Sequence, residues 1–206
     1  MRDKLLIIGA SGHGKVVADI AIRMNKWKSI AFLDDNEELN EIMGLQVIGK
    51  VDDVHRYKEC ADMFVAIGNN VIRKKIMTVL INDMGITLPV LIHPHAVVAR
   101  EVRLGAGTVL MAGAIINSCT NIGEGCIINT GATIDHDTII EDYVHVSPGV
   151  NIAGNVRIGY ETWLGIGSKV SNNITIPSSC IIGAGAVVIE DITEPGTYVG
   201  VPARKI

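Results

Sequence analysis

His136 lies between two acidic residues, Asp135 and Asp137. The pKa of imidazole is near neutrality, so a histidine in an accessible turn can take a proton from an attacking nucleophile at physiological pH. Either flanking carboxylate can hold one tautomer of the ring and raise its basicity. A surface histidine without chemical function is the alternative, both for His136 and for His145, the other histidine of this part of the chain.

A strict repeat of apolar residues surrounds these histidines. Every sixth residue from Ile92 to Val188 is Ile, Leu or Val, and the residue two places before most later anchors is small or β-branched. A short fixed period is typical of a solenoid, in which each repeat buries its apolar side chain against its neighbours. Six residues on each of three sides predict a parallel β-helix. One coil above His136 stands Gly154, which leaves open space over the ring.

Residues 1–90 have a different pattern. Apolar runs predict short strands, each ending in glycine or acidic residues, at Lys4–Gly9, Ser29–Leu33 and Met63–Ile67. Helical patterns follow the first and third strands, over 15–24 and about 71–82. Strand, helix and strand in alternation predict a small parallel sheet of Rossmann type. We therefore predict an α/β domain over 1–90 and a β-helix domain over 91–206, joined near Pro89–Pro94.

The strand ends of the first domain predict a ligand site. A glycine turn between strand and helix brings backbone N–H groups towards an anion, and an acidic pair follows the second strand. The glycine spacing, G-x-x-G-x-G, differs from the dinucleotide fingerprint and favours another nucleotide-linked ligand over NAD. A turn that only closes strand onto helix is the alternative. The candidate substrate-binding residues are Ser11, Gly12, His13, Asp34, Asp35, Gly68 and Asn69.

Composition narrows the class of protein. The net charge of −4 offers no basic field for nucleic acid or an anionic membrane. The apolar run at the N-terminus is too short for a signal peptide or a membrane span, so we expect a cytoplasmic protein. Cys126 and Cys180 fall on one inward column of the β-helix. They are expected to be buried thiols and not a disulfide or metal pair.

Both domains together resemble a known family. The segments IIGASGHGKVV, FLDD, VAIGNN, LIHPHA, INTGATIDHD, HVSPGVNIAGNV and VGVPARKI resemble bacterial sugar acyltransferases that couple a small α/β domain to a left-handed β-helix. These include UDP-4-amino-sugar N-acetyltransferases of the bacillosamine-pathway type and sialic acid O-acetyltransferase-like proteins. The resemblance implies a homotrimer that binds acetyl-CoA between neighbouring β-helices and a nucleotide-linked amino sugar on the α/β domain.

The resemblance also implies roles for individual residues. It makes His136 the general base and Asp137 the residue that orients it, although relatives often carry Glu at this position. We expect no resident metal. The residues expected at the acetyl-CoA site are His145, Ala153, Gly154, Gly165, Ile166, Gly183 and Arg204.

Four functions are compatible with these features. The first is N-acetylation of the 4-amino group of a UDP-linked deoxysugar, and the second is O-acetylation of a sugar hydroxyl. A zinc lyase is disfavoured because its metal needs three suitably spaced histidines, and only His136 and His145 are available. A non-catalytic scaffold leaves the acid-flanked histidine unexplained. Outward apolar residues predict a trimer, namely Ile115, Ile127, Trp163 and Val187.

Overall fold

The computed structural model describes residues 2–206. The chain divides into two compact units, Met1–Pro94 and His95–Ile206. The elements of the first unit are β1 (Lys4–Ile8), α1 (Gly12–Met24), β2 (Ser29–Leu33), β3 (Glu41–Ile42), β4 (Leu45–Gln46), a 3₁₀ helix (Val51–Tyr57), β5 (Asp62–Val65), α2 (Asn70–Thr78), a π-helical turn (Val79–Asp83) and β6 (Leu91–Ile92).

Three parallel strands form the centre of the first unit, in the order β2-β1-β5. The middle strand pairs Leu6 with Ala31 on one side and with Met63 on the other. The side chains from Leu5 to Ile8 are completely buried, as expected for a parallel strand covered on both faces. The sheet confirms the predicted alternation of strand and helix, and it brings the carboxyl ends of the three strands to one edge.

Two features of this unit depart from the sequence prediction. The first helix begins at Gly12, three residues before the predicted start, and it buries Val17, Ala18, Ile20 and Ala21. A β3–β4 hairpin also lies in the segment between the second and third predicted strands.

The second unit is a parallel β-helix with three faces. Face A contains β7 (Val97–Val98), β10 (Ile115–Ile116), β13 (Thr133–Ile134), β16 (Asn151–Ile152), β19 (Lys169–Val170) and β22 (Val187–Val188). Face B contains β8 (Arg103–Leu104), β11 (Asn121–Ile122), β14 (Ile139–Ile140), β17 (Arg157–Ile158) and β20 (Thr175–Ile176). Face C contains β9 (Val109–Leu110), β12 (Ile127–Ile128), β15 (His145–Val146), β18 (Trp163–Leu164), β21 (Ile181–Ile182), β23 (Thr197–Val199) and β24 (Arg204–Lys205).

The apolar anchors stack in register from coil to coil. Ile116 pairs with Ile134 on face A, and Ile128 pairs with Val146 on face C. Anchors inside the stack are buried, whereas Val98, on the terminal strand of face A, is 38% exposed. The second inward position takes small or β-branched residues that are buried in the narrow coil, and the threonines among them also bond to the backbone. Thr108, for example, donates through Oγ1 to the carbonyl of Gly123 at 2.7 Å.

Candidate active site

Two sets of turns carry the candidate residues of the β-helix. The turns that lead from face A to face B form the AB corner, residues 117–120, 135–138, 153–156 and 171–174. The turns that lead from face C to face A form the CA corner, residues 129–132, 147–150, 165–168 and 183–186. Face A lies between the two corners.

His136 lies on the AB corner, in the turn between β13 and β14. Its Nδ1 is 2.8 Å from Oδ2 of Asp137, and both side chains are more than half exposed. A carboxylate only accepts hydrogen bonds, so Nδ1 carries the hydrogen and Nε2 of the neutral ring keeps its lone pair. The bond to Asp137, and after it the charge of Asp135, raises the pKa of His136 above its ordinary value. The turn thus presents a basic Nε2.

Asp135 is held by two donors. Its Oδ1 accepts from the Nδ2 of Asn117, one coil below, at 2.8 Å. The same oxygen accepts from the backbone N–H of His136, also at 2.8 Å. These two hydrogen bonds, Asn117 first, lower the pKa of Asp135. A carboxylate that ionises more readily than an ordinary aspartate therefore stands beside the imidazole, and Asn117 holds it by a hydrogen bond.

Gly154 lies directly above the His136 ring, as the coil period predicts. A Cβ atom at this glycine would lie 2.7 Å from Cε1 and 2.8 Å from Nε2 of the histidine. No side chain fits there without moving the ring. The glycine keeps the surroundings of Nε2 open, which is a requirement for any base that must reach a bound nucleophile.

A groove of about 520 Å³ runs along face A beside this corner. Asp135 and Ala153 line it from the AB corner, and Lys169 is the cation in its lining. Asn117 and Asn151 contribute further polar groups. The groove therefore joins a carboxylate, a lysine and apolar strand residues next to the candidate base.

His145 lies on face C, away from the AB corner, and is half-buried. Its ring is stacked on Trp163 of the next coil, with centroids 5.9 Å apart and planes 9° apart. The Nδ2 of Asn129 lies 3.2 Å from its Nε2. The indole N–H of Trp163 donates to Oγ of Ser147 at 2.8 Å. His145 is thus held by an amide and an aromatic ring.

The other residues expected at the acetyl-CoA site lie on different parts of the β-helix. Gly165 and Gly183 are on the CA corner, where coil-to-coil packing itself excludes a side chain: a Cβ at Gly165 would lie 2.6 Å from the carbonyl of Ile182. Ile166, on the same corner, is 59% exposed. Arg204 lies on β24 and pairs with Glu190 at 3.6 Å. Within one chain, face A separates these residues from His136 and Gly154.

In the first unit, a second cavity lies at the edge where the strands end. It has a volume of about 490 Å³ and is lined by Gly9, by the charged residues Asp34, Asp35, Asp52 and Lys75, and by apolar side chains that include those of α2, the 3₁₀ helix and the π-helical turn. Both oxygens of Asp34 already accept backbone N–H groups, from Ala10 at 2.6 Å and Asn36 at 2.9 Å. Asp35 accepts only from Val51 through Oδ1, at 3.0 Å.

The remaining candidates of this unit lie at the starts of α1 and α2, and Arg73, which is 1% exposed, acts on two of them, Gly68 and His13. Its guanidinium donates to the carbonyl of Gly68 at 3.1 Å. Burial, and after it the charge of Arg73, lowers the pKa of His13 to about 4, and the buried Nε2 of this ring has no hydrogen-bond partner. Asn69 uses its side-chain oxygen to cap α2. Ser11 and Gly12, at the start of α1, are exposed.

Several residues that contact the candidates were not predicted from the sequence to belong to the site. Asn117 and Trp163 follow from the coil period, because each stands one coil from a candidate, Asp135 and His145 respectively. Arg73 had no comparable signal, since its burial depends on the packing of α2. Ile127, expected to be exposed, is 1% exposed.

Residues 2–206 contain no group of three or more His, Cys, Asp or Glu side chains that could hold a metal ion. Over the same residues, no helix is long and apolar enough to cross a membrane.

Known proteins with related sequences and structures have this architecture. The PglD N-terminal domain family matches residues 4–80. The UDP-N-acetylbacillosamine N-acetyltransferase of Bacillus subtilis (strain 168) is 38% identical over 111 residues, which is 52% of this chain and 50% of that protein.

Two solved structures match over nearly the whole chain. The acetyltransferase domain of PglB from Neisseria gonorrhoeae FA1090, in complex with acetyl coenzyme A, has a TM-score of 0.96, 40% identity and 100% coverage of both chains. PerB from Caulobacter crescentus, in complex with CoA and GDP-perosamine, has a TM-score of 0.92 and 36% identity over 98% of this chain and 97% of its own. The chain therefore belongs to the family of bacterial sugar acyltransferases in which a PglD-type N-terminal domain precedes a hexapeptide-repeat β-helix.

Proposed function

We propose that this chain is an acetyl-CoA-dependent N-acetyltransferase that acts on the amino group of a nucleotide-linked amino sugar. The observation that carries the proposal is the His136–Asp137 pair, which presents a basic Nε2 beside Gly154 in a chain of this family. The B. subtilis, N. gonorrhoeae and C. crescentus relatives are all acetyltransferases by name, which supports acetyl-CoA as the second substrate.

The proposed reaction is a direct transfer. The sugar amine attacks the thioester carbonyl carbon, a C–N bond forms and the C–S bond breaks. Nε2 of His136 takes the proton that the amine loses, and that proton can pass to the departing thiolate of CoA. A positioned base of this kind contributes ~10²–10⁴-fold to the rate. Asp137 orients the ring, and His145 donates a ring N–H to the carbonyl oxygen as negative charge develops there.

The acetyl-CoA site is proposed at an interface between copies of the chain. His136, Ala153 and Gly154 belong to the AB corner, whereas Gly165, Ile166 and Gly183 belong to the CA corner. A second copy that places its CA corner against the AB corner of the first would bring both sets to one ligand. We therefore propose a homotrimer, with Arg204 near the phosphates of CoA.

The first unit is proposed to hold the nucleotide sugar. The cavity at the strand ends offers Asp34 and Asp35 to hydroxyl groups, and Ser11, Gly12, His13, Gly68 and Asn69 surround the start of the two helices. UDP and the 4-amino position are our choice for the substrate, while PerB binds GDP-perosamine. All four cysteines are free thiols, which suits the reducing cytoplasm where we place the reaction.

The experiment is a screen of UDP- and GDP-linked amino sugars with acetyl-CoA, followed through release of free thiol. We expect turnover of an amino sugar and none of the matched hydroxyl sugar. His136→Ala should lower kcat by ~10²–10⁴-fold, while His55→Ala, a surface histidine, should not change it. Turnover of the hydroxyl sugar alone would establish O-acetylation instead, and no turnover of any sugar would refute the proposal.

A further inference from the structure

The orientation of the Asn129 amide can be assigned from its two contacts. Its Oδ1 accepts the backbone N–H of Thr130 at 2.8 Å. Its Nδ2 faces Nε2 of His145 at 3.2 Å. The reverse orientation would set the amide NH₂ against the N–H of Thr130, with two donors facing each other. The backbone of Thr130 therefore determines which end of the amide His145 meets.

The amide in turn determines the tautomer of His145. An amide NH₂ group only donates, so Nε2 of the imidazole must accept. A neutral imidazole has one hydrogen, and with Nε2 as acceptor this hydrogen is on Nδ1. The contact with Asn129 therefore places the proton that a neutral His145 can donate on Nδ1.

Trp163 determines the plane of the same ring. The two residues are paired on adjacent strands β15 and β18. Their rings are parallel within 9°, and the indole is anchored by its N–H to Ser147, which is 4% exposed. A stacked ring of this size restricts rotation of the imidazole out of its plane. The amide of Asn129 therefore determines which ring nitrogen carries the hydrogen, and the indole of Trp163 determines the orientation of the ring plane.

We propose that Asn129 and Trp163 are positioning residues that hold His145 as a hydrogen-bond donor through Nδ1. The identity of the acceptor, the thioester oxygen, rests on the proposed function. Both histidines then have the same tautomer and opposite uses. His136 gives its Nδ1–H to Asp137 and works through Nε2, whereas His145 receives a donor at Nε2 and works through Nδ1.

The tautomer can be measured without any turnover, by ¹⁵N NMR of histidine-labelled full-length protein at about pH 8, above the ordinary histidine pKa. The His145→Gln variant identifies the signals of this ring. We expect a protonated Nδ1 and an unprotonated Nε2 in the parent. Asn129→Asp replaces the donor with an acceptor of the same shape and should move the hydrogen to Nε2. Asn121→Asp, which adds the same charge on face B, should leave the His145 signals unchanged.

Kinetics on the same samples test the consequence for the reaction. Asn129→Asp should lower kcat by up to ~10²–10³-fold, the usual effect of losing one donor to a developing oxyanion. The KM for the nucleotide sugar should not change. Trp163→Phe retains an aromatic ring and should preserve most of kcat, whereas Trp163→Ala should lower kcat. Both variants are compared at protein concentrations at which light scattering gives the oligomeric state of the parent, because Trp163 also lies on the face expected to be covered in the trimer.

The outcomes separate this inference from the proposed function. A protonated Nε2 in the parent, or a tautomer that does not respond to Asn129→Asp, would overturn the inference even if the enzyme acetylates sugars. Equal loss of kcat in Trp163→Phe and Trp163→Ala would overturn the role of Trp163. Failure of every sugar to react would count against the proposed function and leave the NMR result to decide the inference.

Discussion

The Cα of Gly154 faces the His136 imidazole so closely that a Cβ would lie 2.8 Å from Nε2. The His136 ring can therefore occupy its position only because residue 154, one full coil later in the chain, is a glycine.

Gly154→Ala should displace His136 and lower kcat, because the added methyl group occupies the surroundings of Nε2. We expect a loss on the order of 10²-fold, within the contribution of a positioned base, at a modest cost in stability. Gly149→Ala is the control for a loss of stability alone, since its methyl group meets open space but the φ of +66° is strained for any side chain. Steady-state kinetics measures the loss of kcat, and thermal unfolding measures the loss of stability. Equal activity of both variants would show that the ring does not depend on Gly154.

Asp137→Asn should change the pH dependence of the reaction. The base must be neutral to work, so activity falls as pH decreases through the raised pKa of His136, and the acid limb of the parent should lie above the ordinary value of 6.5. Removing Asp137, the largest cause of the shift, should move this limb to lower pH and decrease kcat less than His136→Ala does. The measurement is the pH profile of kcat/KM, with Asp83→Asn as a surface control. An unmoved acid limb would contradict the coupling.

His13 should make stability depend on pH. Its folded pKa of about 4 lies below the ordinary 6.5, so its contribution is complete above pH 6.5 and is lost as pH falls towards 4. The whole effect amounts to roughly 3 kcal/mol. Urea unfolding at several pH values should show this decline in the parent and a smaller one in His13→Asn. His55→Asn, with a surface ring, should retain the parental decline, and a parental slope in His13→Asn would refute the assignment.

Asp35 should affect the nucleotide sugar and not acetyl-CoA. Asp35→Asn keeps an oxygen for the N–H of Val51 but removes the charge offered to the cavity, so KM for the sugar should rise about tenfold, the usual scale of one charge-assisted hydrogen bond. Asp34→Ala is a less specific test because it also removes the acceptor of Ala10 and Asn36. Calorimetry with the nucleotide sugar and with acetyl-CoA makes the comparison. Unchanged sugar affinity would place the ligand elsewhere.

Apolar residues exposed on face C and at the CA corner should be covered in a homotrimer. Trp163 and Ile181 are 46% and 44% exposed in the single chain, and Ile166 is 59% exposed. Light scattering of the parent should give three times the chain mass of 22.0 kDa. Ile166→Glu should weaken the assembly, whereas Ile22→Glu on α1 should not. A parent that remains monomeric at micromolar concentration would also remove the intersubunit acetyl-CoA site.

The six-residue period by itself determined the β-helix and the stacking of its columns. From it followed Gly154 above His136 and the burial of Cys126 and Cys180, because position along a solenoid is simple arithmetic on the sequence. The three buried strands of the first unit were predicted for a similar reason, since continuous apolar runs followed by glycine are local signals. The family followed from motifs in both regions.

Only the tertiary structure determined which groups the polar side chains bond to. The sequence predicts Asp34 as a ligand residue, and the structure adds that its two oxygens accept the backbone N–H groups of Ala10 and Asn36. The β3–β4 hairpin has Met43 and Gly44 both at positive φ, and methionine gives no sequence signal for such a turn. The donor state of His145 depends on the N–H of Thr130, two contacts away through Asn129. Periodicity fixes which residues are neighbours, but hydrogen-bond direction depends on short distances that only the folded coils establish.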